Sequence, residues 1–361
     1  MDSTILIYNS QDLKENIATF DLDHTLIQPK NNKVFPTDHL DWEWKANAQS
    51  ILKLFNQSDW SIVVFTNQGG VAKGLITKEN LLLKFKNINS DLKLNITFVA
   101  SIKHNYNRKP FPGMWNYFIK EHCFKNAFYC GDAFDPTHRK LKASDLKFAL
   151  NLNIPFIKNT DLFKDGFQIE TLSKLYFNVD RLNYINFTTQ LPNKLIKLEK
   201  LKFIQFITPF KYLFIVAPPS SGKTTFCKKY LSNYIRLSKD NYPTPSKYMK
   251  EISNYLNSPD YLNSNIVFDN TNYTSKSRDV IIQKLLDNDV ELNQIGFIYI
   301  DTAKQNSLYL NNYRHFISEG SVKLLPEIAI HKYYKSLEIP IKNTLKLSNW
   351  IQLEDLKTFI M

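Results

Sequence analysis

The sequence predicts an α/β protein of two doubly wound parallel-sheet domains, on three observations. Short β-rich apolar runs alternate with helix-periodic segments along most of the chain. These runs end in polar, chemistry-bearing residues, as parallel strands do where ligands collect at their carboxyl ends. The length, 361 residues, exceeds what one core usually supports, about 250–300 residues. The expected halves are residues 1–190 and 200–361, with the join near Gln190 to Leu201.

The composition is 43% hydrophobic, with 26 Phe, 19 Tyr and 5 Trp, which suits packed cores and argues against disorder. Lys and Arg total 46 against 34 Asp and Glu, a formal charge of +12 that favours a polyanionic partner, although a Lys- and Asn-rich compositional drift explains the same excess. Cys123, Cys130 and Cys227 show neither a paired framework nor a C-x-x-C spacing, so they are expected to be buried thiols in a reducing compartment. Residues 1–14 lack the basic start and apolar core of a signal peptide, and no window approaches the ~18–20 apolar residues of a membrane span. A soluble, intracellular monomer is expected, with nucleus and cytoplasm both open.

In chain order, Ile17-Ala18-Thr19 reads as a strand running into Phe20-Asp21-Leu22-Asp23-His24-Thr25-Leu26. Strand alternation points Asp21 and Asp23 the same way, so one carboxylate can attack phosphorus while the other handles protons; an acidic turn is the bland alternative. A polar segment with Pro29, Asn31, Asn32 and Pro36 reads as a hairpin or flap over them. Ala48, Ile51, Leu52 and Phe55 mark a helix, and the strand Ser61 to Phe65 ends in Thr66-Asn67-Gln68, where the Thr66 hydroxyl can hold a phosphate oxygen with Asn67 nearby. A helix from Lys78 to about Asn89 carries Leu81, Leu82, Phe85 and Ile88 on its apolar face, and Thr97 to Ala100 is the next strand. Lys109, in Asn107-Arg108-Lys109-Pro110, is a cation able to neutralise a bound phosphate. The strand Ala127 to Cys130 ends in Gly131-Asp132, with Asp135 and Asp145 beyond; Asp132 is a natural ligand for Mg²⁺, Asp145 is either a ligand or a helix cap, and Asp135 reads as loop. Ile154 to Ile157 is the last strand of this half.

This ordered set resembles the four motifs of the haloacid dehalogenase-like phosphatases. The resemblance implies a nucleophile at Asp21, a general acid/base at Asp23, phosphate binding by Thr66, Asn67 and Lys109, and a Mg²⁺ site at Asp21, Asp23 and Asp132 with support from Asp145. Locally, Phe20 to Leu26, Lys33-Val34-Phe35-Pro36-Thr37, Phe65 to Gln68, Arg108-Lys109-Pro110, Gly113-Met114-Trp115 and Phe148 to Leu152 resemble the 3′-phosphatase domain of polynucleotide kinase/phosphatases. His24 departs from it, standing where that subfamily commonly has Gly.

In the second half, Lys194 to Lys202 reads as a basic helix, and the strand Tyr212 to Val216 runs into Ala217-Pro218-Pro219-Ser220-Ser221-Gly222-Lys223-Thr224-Thr225 before another helix. This is a P-loop in its proper setting: backbone N–H groups cradle phosphates, Lys223 reaches the terminal ones and the Thr224 hydroxyl faces Mg²⁺. Ala217 takes the usual Gly position, so its backbone is either ordinary or strained. Asp240 follows the strand Tyr234 to Leu237 and is placed to take the proton of an incoming hydroxyl. Ile266 to Phe268 ends in Asp269-Asn270-Thr271-Asn272, where Asp269 can support Mg²⁺ and Asn270 and Asn272 can fix nucleotide or acceptor. Ile295 to Ile300 is the next strand, and Arg314 lies on a polar helix beyond it, either a lid arginine or a surface one. From Pro326 onward only packing is expected. Trp42, Trp44 and Trp115 are stacking candidates for unpaired bases, with core filling as the competing reading.

Ser238-Lys239-Asp240, Asp269 to Asn272 and Asn311 to Arg314 resemble a 5′-hydroxyl polynucleotide kinase domain, which implies ATP as donor, Asp240 as general base and Arg314 as lid arginine. The whole then resembles an end-healing enzyme that acts on DNA or RNA ends with 3′-phosphate or 5′-hydroxyl groups and cooperates with a ligase. About 15 residues precede the first expected strand, so no forkhead-associated scaffold-binding module is expected. A phosphatase/kinase of small metabolites or nucleotides and a non-enzymatic end-binding protein are the competing readings.

Overall fold

The computed structural model describes residues 4–30, 36, 38–119, 122–135, 143–178, 200–259, 264–348 and 350–351. The chain divides into two compact units, one built on residues up to 188 and one on residues 189–315 and 322–357. The join expected near Gln190 to Leu201, most of the Lys33 to Thr37 motif and residues 194–199 of the expected basic helix lie outside the described residues.

The first unit is a six-stranded sheet. In chain order it contains β1 (Ile5–Tyr8), β2 (Asn16–Phe20), the small pair β3 (Ile27–Gln28) and β4 (Glu43–Trp44), α1 (Ala48–Gln57), β5 (Trp60–Asn67), α2 (Gly69–Ala72) and α3 (Lys78–Leu92). β6 (Thr97–Ser101), α4 (Gly113–Ile119), β7 (Asn126–Gly131), α5 (Ser144–Leu152), β8 (Phe156–Lys158) and α6 (Asn159–Leu162) follow. The order is β1-β6-β5-β2-β7-β8, parallel except for β1, which runs antiparallel along β6. β1 precedes the first strand expected from the sequence; its residues Ile5-Leu6-Ile7-Tyr8 form a short apolar run, half-buried because it pairs with a core strand on one side only.

Alternation in the central strands divides the core. Phe20, Val64 and Phe128 join Leu52, Phe55, Phe85 and Ile88 of α1 and α3 on one face. Phe65 and Tyr129 meet Trp115, Phe118 and Phe148 on the other. With both faces covered, these strands read as near-continuous apolar runs. The small β3–β4 pair is antiparallel, in keeping with the expected hairpin. Trp42 and Trp44 pack edge to face at 5.6 Å against the first cluster, and Trp115 is buried beside Phe65.

The second unit carries α7 (Lys200–Ile207), β9 (Tyr212–Val216), α8 (Lys223–Tyr230), β10 (Tyr234–Leu237), α9 (Pro245–Asn257), β11 (Asn265–Phe268) and α10 (Ser275–Leu286). After them come β12 (Ile295–Asp301), α11 (Lys304–Ile317), α12 (Glu327–Lys335) and β13 (Thr344–Ser348). All five strands are parallel, in the order β10-β11-β9-β12-β13. Two corrections follow. The tail beyond Pro326 supplies more than packing, since β13 completes the sheet beside β12, with Leu345 and Leu347 as the alternating signal. Cys123 is exposed in the loop before β7, whereas Cys130 and Cys227 are buried as expected. Among the described residues no helix is long and apolar enough to cross a membrane.

Phe128 is fully buried and touches the rings of Phe20, Phe55 and Trp60 at 5.3–5.8 Å. Phe128→Ala is expected to cost about 3–5 kcal/mol in urea unfolding followed by Trp fluorescence. Iodoacetamide on the native protein is expected to label Cys123, and Cys130 and Cys227 only after unfolding, because burial raises both of their thiol pKa values.

Candidate functional sites

In the first unit the strand ends converge on one ammonium. Lys109 Nζ donates to Asp21 Oδ1 at 2.5 Å, to Asp145 Oδ1 at 2.8 Å and to the Tyr129 hydroxyl at 2.6 Å, and Tyr129 in turn donates to the Phe65 carbonyl at 3.0 Å. Lys109 arrives on the loop after β6, fixed through its backbone: Asn67 accepts from its N–H at 2.9 Å and donates to its carbonyl at 3.2 Å. Asn67 therefore positions Lys109. The Asp145 carboxylate also accepts from Ala133 N–H at 3.0 Å, so its side chain crosses to the loop after β7 and makes no cap for its own helix. That crossing requires Gly131, where a Cβ would lie 2.5–2.6 Å from the Asp145 carboxylate and its Cβ.

Asp21, Asp132 and Asp145 each bring a carboxylate oxygen within 4.8 Å of the others. Thr25 Oγ1 donates to Asp132 at 3.1 Å. One ammonium among three carboxylates leaves the cluster negative; burial first, then the neighbouring acids, push Asp21 well above the usual carboxylate range, and Asp132 rises for the same reasons. Burial by itself would depress Lys109, but Asp145 and Asp21 outweigh it and hold its pKa up. The donor set, all carboxylate oxygen with surplus negative charge, fits a hard divalent cation.

Asp23 stands apart from that cluster. β2 ends at Phe20, and the chain then turns, with Leu26 N–H donating to the Leu22 carbonyl at 2.9 Å and His24 in the left-handed region at φ 65°. Strand alternation therefore does not reach Asp23. One of its oxygens takes the Lys84 ammonium at 2.8 Å and the other the Gln68 amide at 2.7 Å, while the same amide donates to Thr66 Oγ1 at 2.9 Å. Burial alone would raise the Asp23 carboxyl; Lys84, then Gln68, more than cancel this and hold it below the usual range. The His24 carbonyl accepts from Asn159 Nδ2 at 3.1 Å, which secures a backbone shape that costs a non-Gly residue about 1–2 kcal/mol. Asp135 is exposed.

In the second unit the P-loop joins β9 to α8. Positive φ falls on Ser220 (62°) and Gly222 (76°), and Ala217 is not among the positive-φ residues, so the Gly-to-Ala departure leaves its backbone ordinary. Thr224 Oγ1 and Arg236 Nη1 both donate to Asp269 Oδ2, at 2.7 and 2.8 Å, and Asp269 Oδ1 is buried with no protein partner. The Ser221 hydroxyl is likewise buried and unpartnered. These orphaned oxygens fit a loop shaped around phosphate and cation. Burial lowers the pKa of Lys223, whose ammonium feels Asp269, Asp240 and Arg314.

Asp240 is exposed on the short turn Lys239–Asn241, whose first N–H donates to Asn270 Oδ1 at 2.7 Å; Asn270 Nδ2 reaches the Tyr248 hydroxyl at 2.8 Å. Asn272 braces the fold, donating to the Ile215 and Phe268 carbonyls at 2.9 and 3.0 Å. Thr225 is exposed on α8. Arg314 on α11 donates to the Lys323 carbonyl at 3.0 Å.

Five contributors escape a motif-based reading, and a sixth, Asn311, enters it only as part of the Asn311 to Arg314 motif, without a role of its own. Lys84, Tyr129 and Arg236 lie inside a predicted helix or strand, where each reads as filler. Ser307 donates to the Pro219 carbonyl at 2.6 Å and Asn311 accepts from Ser220 Oγ at 3.3 Å, so one face of α11 supports the P-loop. Their i, i+4 spacing, continued to Arg314 at i+7, was the available signal. Trp350 donates to the Ser221 carbonyl at 3.0 Å and fills the space a Cβ on Gly222 would occupy.

Gly131→Ala is expected to force Asp145 off Lys109 and to destabilise the first unit by about 1–3 kcal/mol, measured by urea unfolding.

Residues 16–163 match the family model described as polynucleotide kinase 3 phosphatase. A Schizosaccharomyces pombe protein named bifunctional polynucleotide phosphatase/kinase is 28% identical over 333 residues, covering 90% of this chain and 76% of its own. An uncharacterized 20.8 kDa protein of Autographa californica nuclear polyhedrosis virus is 35% identical over 151 residues, covering 40% of this chain and 82% of its own. The Saccharomyces cerevisiae polynucleotide 3′-phosphatase is 27% identical over 209 residues, covering 41% of this chain and 87% of its own. The first unit thus matches the polynucleotide kinase 3 phosphatase family model, and the likeness to a relative named for two activities runs along 90% of the chain.

Proposed function

We propose that this chain heals nucleic-acid ends, removing 3′-phosphates in its first unit and phosphorylating 5′-hydroxyls in its second. The observation that carries the reading is the buried Lys109 ammonium shared by Asp21 and Asp145, with Asp132 beside them, at the ends of adjacent strands.

In the first unit, Asp21 attacks the phosphorus of a 3′-phosphate. The new Oδ–P bond forms as the P–O3′ bond breaks, and Asp23, an ion-paired carboxylate in the resting site, takes up a proton from solvent before the step and delivers it to the departing 3′-oxygen. Asp23 then takes a proton from water, whose oxygen attacks the aspartyl-phosphate and releases inorganic phosphate. Lys109 and the Thr66 hydroxyl neutralise and orient the phosphoryl oxygens. Asp21, Asp132 and Asp145 would hold Mg²⁺, which when bound offsets negative charge on the phosphoryl group.

In the second unit the P-loop, residues 217–225, cradles the phosphates of ATP, with Lys223 on the terminal ones. Thr224 and the free oxygen of Asp269 would support Mg²⁺. Asp240, exposed to an arriving strand, takes the proton of a 5′-hydroxyl as its oxygen attacks the γ-phosphorus, and Arg314 stabilises the charge on the transferred group. The products, a 3′-hydroxyl and a 5′-phosphate, are what a ligase joins.

The test is a nick carrying a 3′-phosphate and a 5′-hydroxyl, in DNA and RNA versions, beside free nucleotides and sugar phosphates as competing substrates. Asp21→Asn is expected to lose 3′-phosphate release by at least about 10³-fold while keeping 5′ phosphorylation, and Lys223→Ala the reverse. Loss of 5′ phosphorylation in Asp21→Asn with 3′ removal intact would invert the two halves. Turnover of the small phosphates alone would replace the substrate class.

A further inference from the structure

Lys84 is a charged residue on the core side of α3. It falls three residues after Leu81 and four before Ile88, both buried, and is itself 4% exposed. An ammonium taken out of water at such a site is costly unless a paired charge compensates it. Its partner is Asp23 Oδ1 at 2.8 Å. The other Asp23 oxygen is held by Gln68, whose amide is anchored on Thr66 in turn. The two acids of the Asp21–Asp23 pair thus have separate lysines: Asp21 shares Lys109 with Asp145, and Asp23 is drawn toward α3, outside the three-carboxylate group.

A carboxylate two residues from a nucleophile, on a turning backbone, has no geometric reason to stay out of the neighbouring cluster. Rotation about χ1 and χ2 is the freedom available to it, and two donors on two different elements remove that freedom. We propose that Lys84 is a positioning residue of the phosphatase, fixing the Asp23 carboxylate for proton transfer and keeping it apart from the Asp21–Asp132–Asp145 group. This rests on the function proposed above. Proton transfer by a well-placed side chain contributes roughly 10²–10⁴-fold, and its loss appears in kcat when substrate binding is untouched.

The test is steady-state hydrolysis of a 3′-phosphorylated oligonucleotide by Lys84→Met, which keeps the length and loses the charge, and by Lys84→Arg, which keeps a donor. Lys86→Met, on the exposed side of α3, is the control. Melting temperature and the 5′-kinase activity of each variant report folding. Lys84→Met is expected to lose about 10–100-fold in kcat with KM within about threefold and kinase activity intact, and Lys84→Arg to recover at least a third of the wild-type rate. The proposal is overturned if Lys84→Met retains the kcat of Lys86→Met, if the loss lies in KM, or if Lys84→Arg is as impaired as Lys84→Met. It is also overturned if the loss merely follows a fall in melting temperature below the assay temperature. A wild type that leaves the 3′-phosphate in place would instead overturn the proposed function itself.

Discussion

A single buried ammonium, that of Lys109, organises the first unit. Asp21 and Asp145 pair with it directly, Asp132 stands beside those two acids, and an ammonium buried in that setting is costly without its carboxylate partners. The demand runs back into the fold. Asp21 must follow β2, Asp132 must follow β7 next to it, and the β6 loop must bring Lys109 across to them, as the strand order provides. Asn67 grips the Lys109 backbone on both sides, and the missing side chain of Gly131 admits Asp145. The aromatic layer beneath supplies Tyr129, whose hydroxyl gives the ammonium a third acceptor. The sheet is thus a device for confining charges that would separate in water.

The second unit solves a different problem. Its P-loop is built from backbone, so what needs control is loop shape. Two braces provide it: α11 through Ser307 and Asn311, and the tail through Trp350. Asp269 is shared by Thr224 and Arg236, which leaves one oxygen unclaimed. The proposed acceptor base, Asp240, is by contrast on the surface, on a turn pinned by Asn270. The burial of Asp21 suits the proposed nucleophile, whose step must exclude competing groups; the exposure of Asp240 suits a proposed acceptor as large as a nucleic-acid strand.

Both units place chemistry at the carboxyl ends of parallel strands, and this accounts for how much was legible beforehand. A strand covered on both faces must be apolar throughout, so its polar terminus stands out as a sharp change in the sequence. Asp21, Thr66, Asp132, Asp240 and Asp269 stand out by that contrast, Lys109 only in the company of those neighbours, and the P-loop by a spacing that backbone geometry imposes. The edge strands β1 and β13 carry no motif at their ends; β1 is an apolar run of four residues, Ile5 to Tyr8, followed by polar Asn9 and Ser10, and β13 alternates.

The sequence by itself determined the two α/β units, the elements that carry the motifs, and the residue types proposed to meet phosphate, because those depend on local periodicity and on which residues end an apolar run. Tertiary structure decided the partnerships. Lys84 meets Asp23 across 61 residues of sequence and Lys109 meets Asp21 across 88, and no local pattern encodes either separation. A lysine on a helix face reads as solvent-exposed until packing buries it, and an arginine inside a strand reads as filler until a carboxylate is brought opposite. The Asp21–Asp23 pair shows the division most clearly: spacing identified both acids, but the turn after β2 and the lysine on α3 set them to different partners.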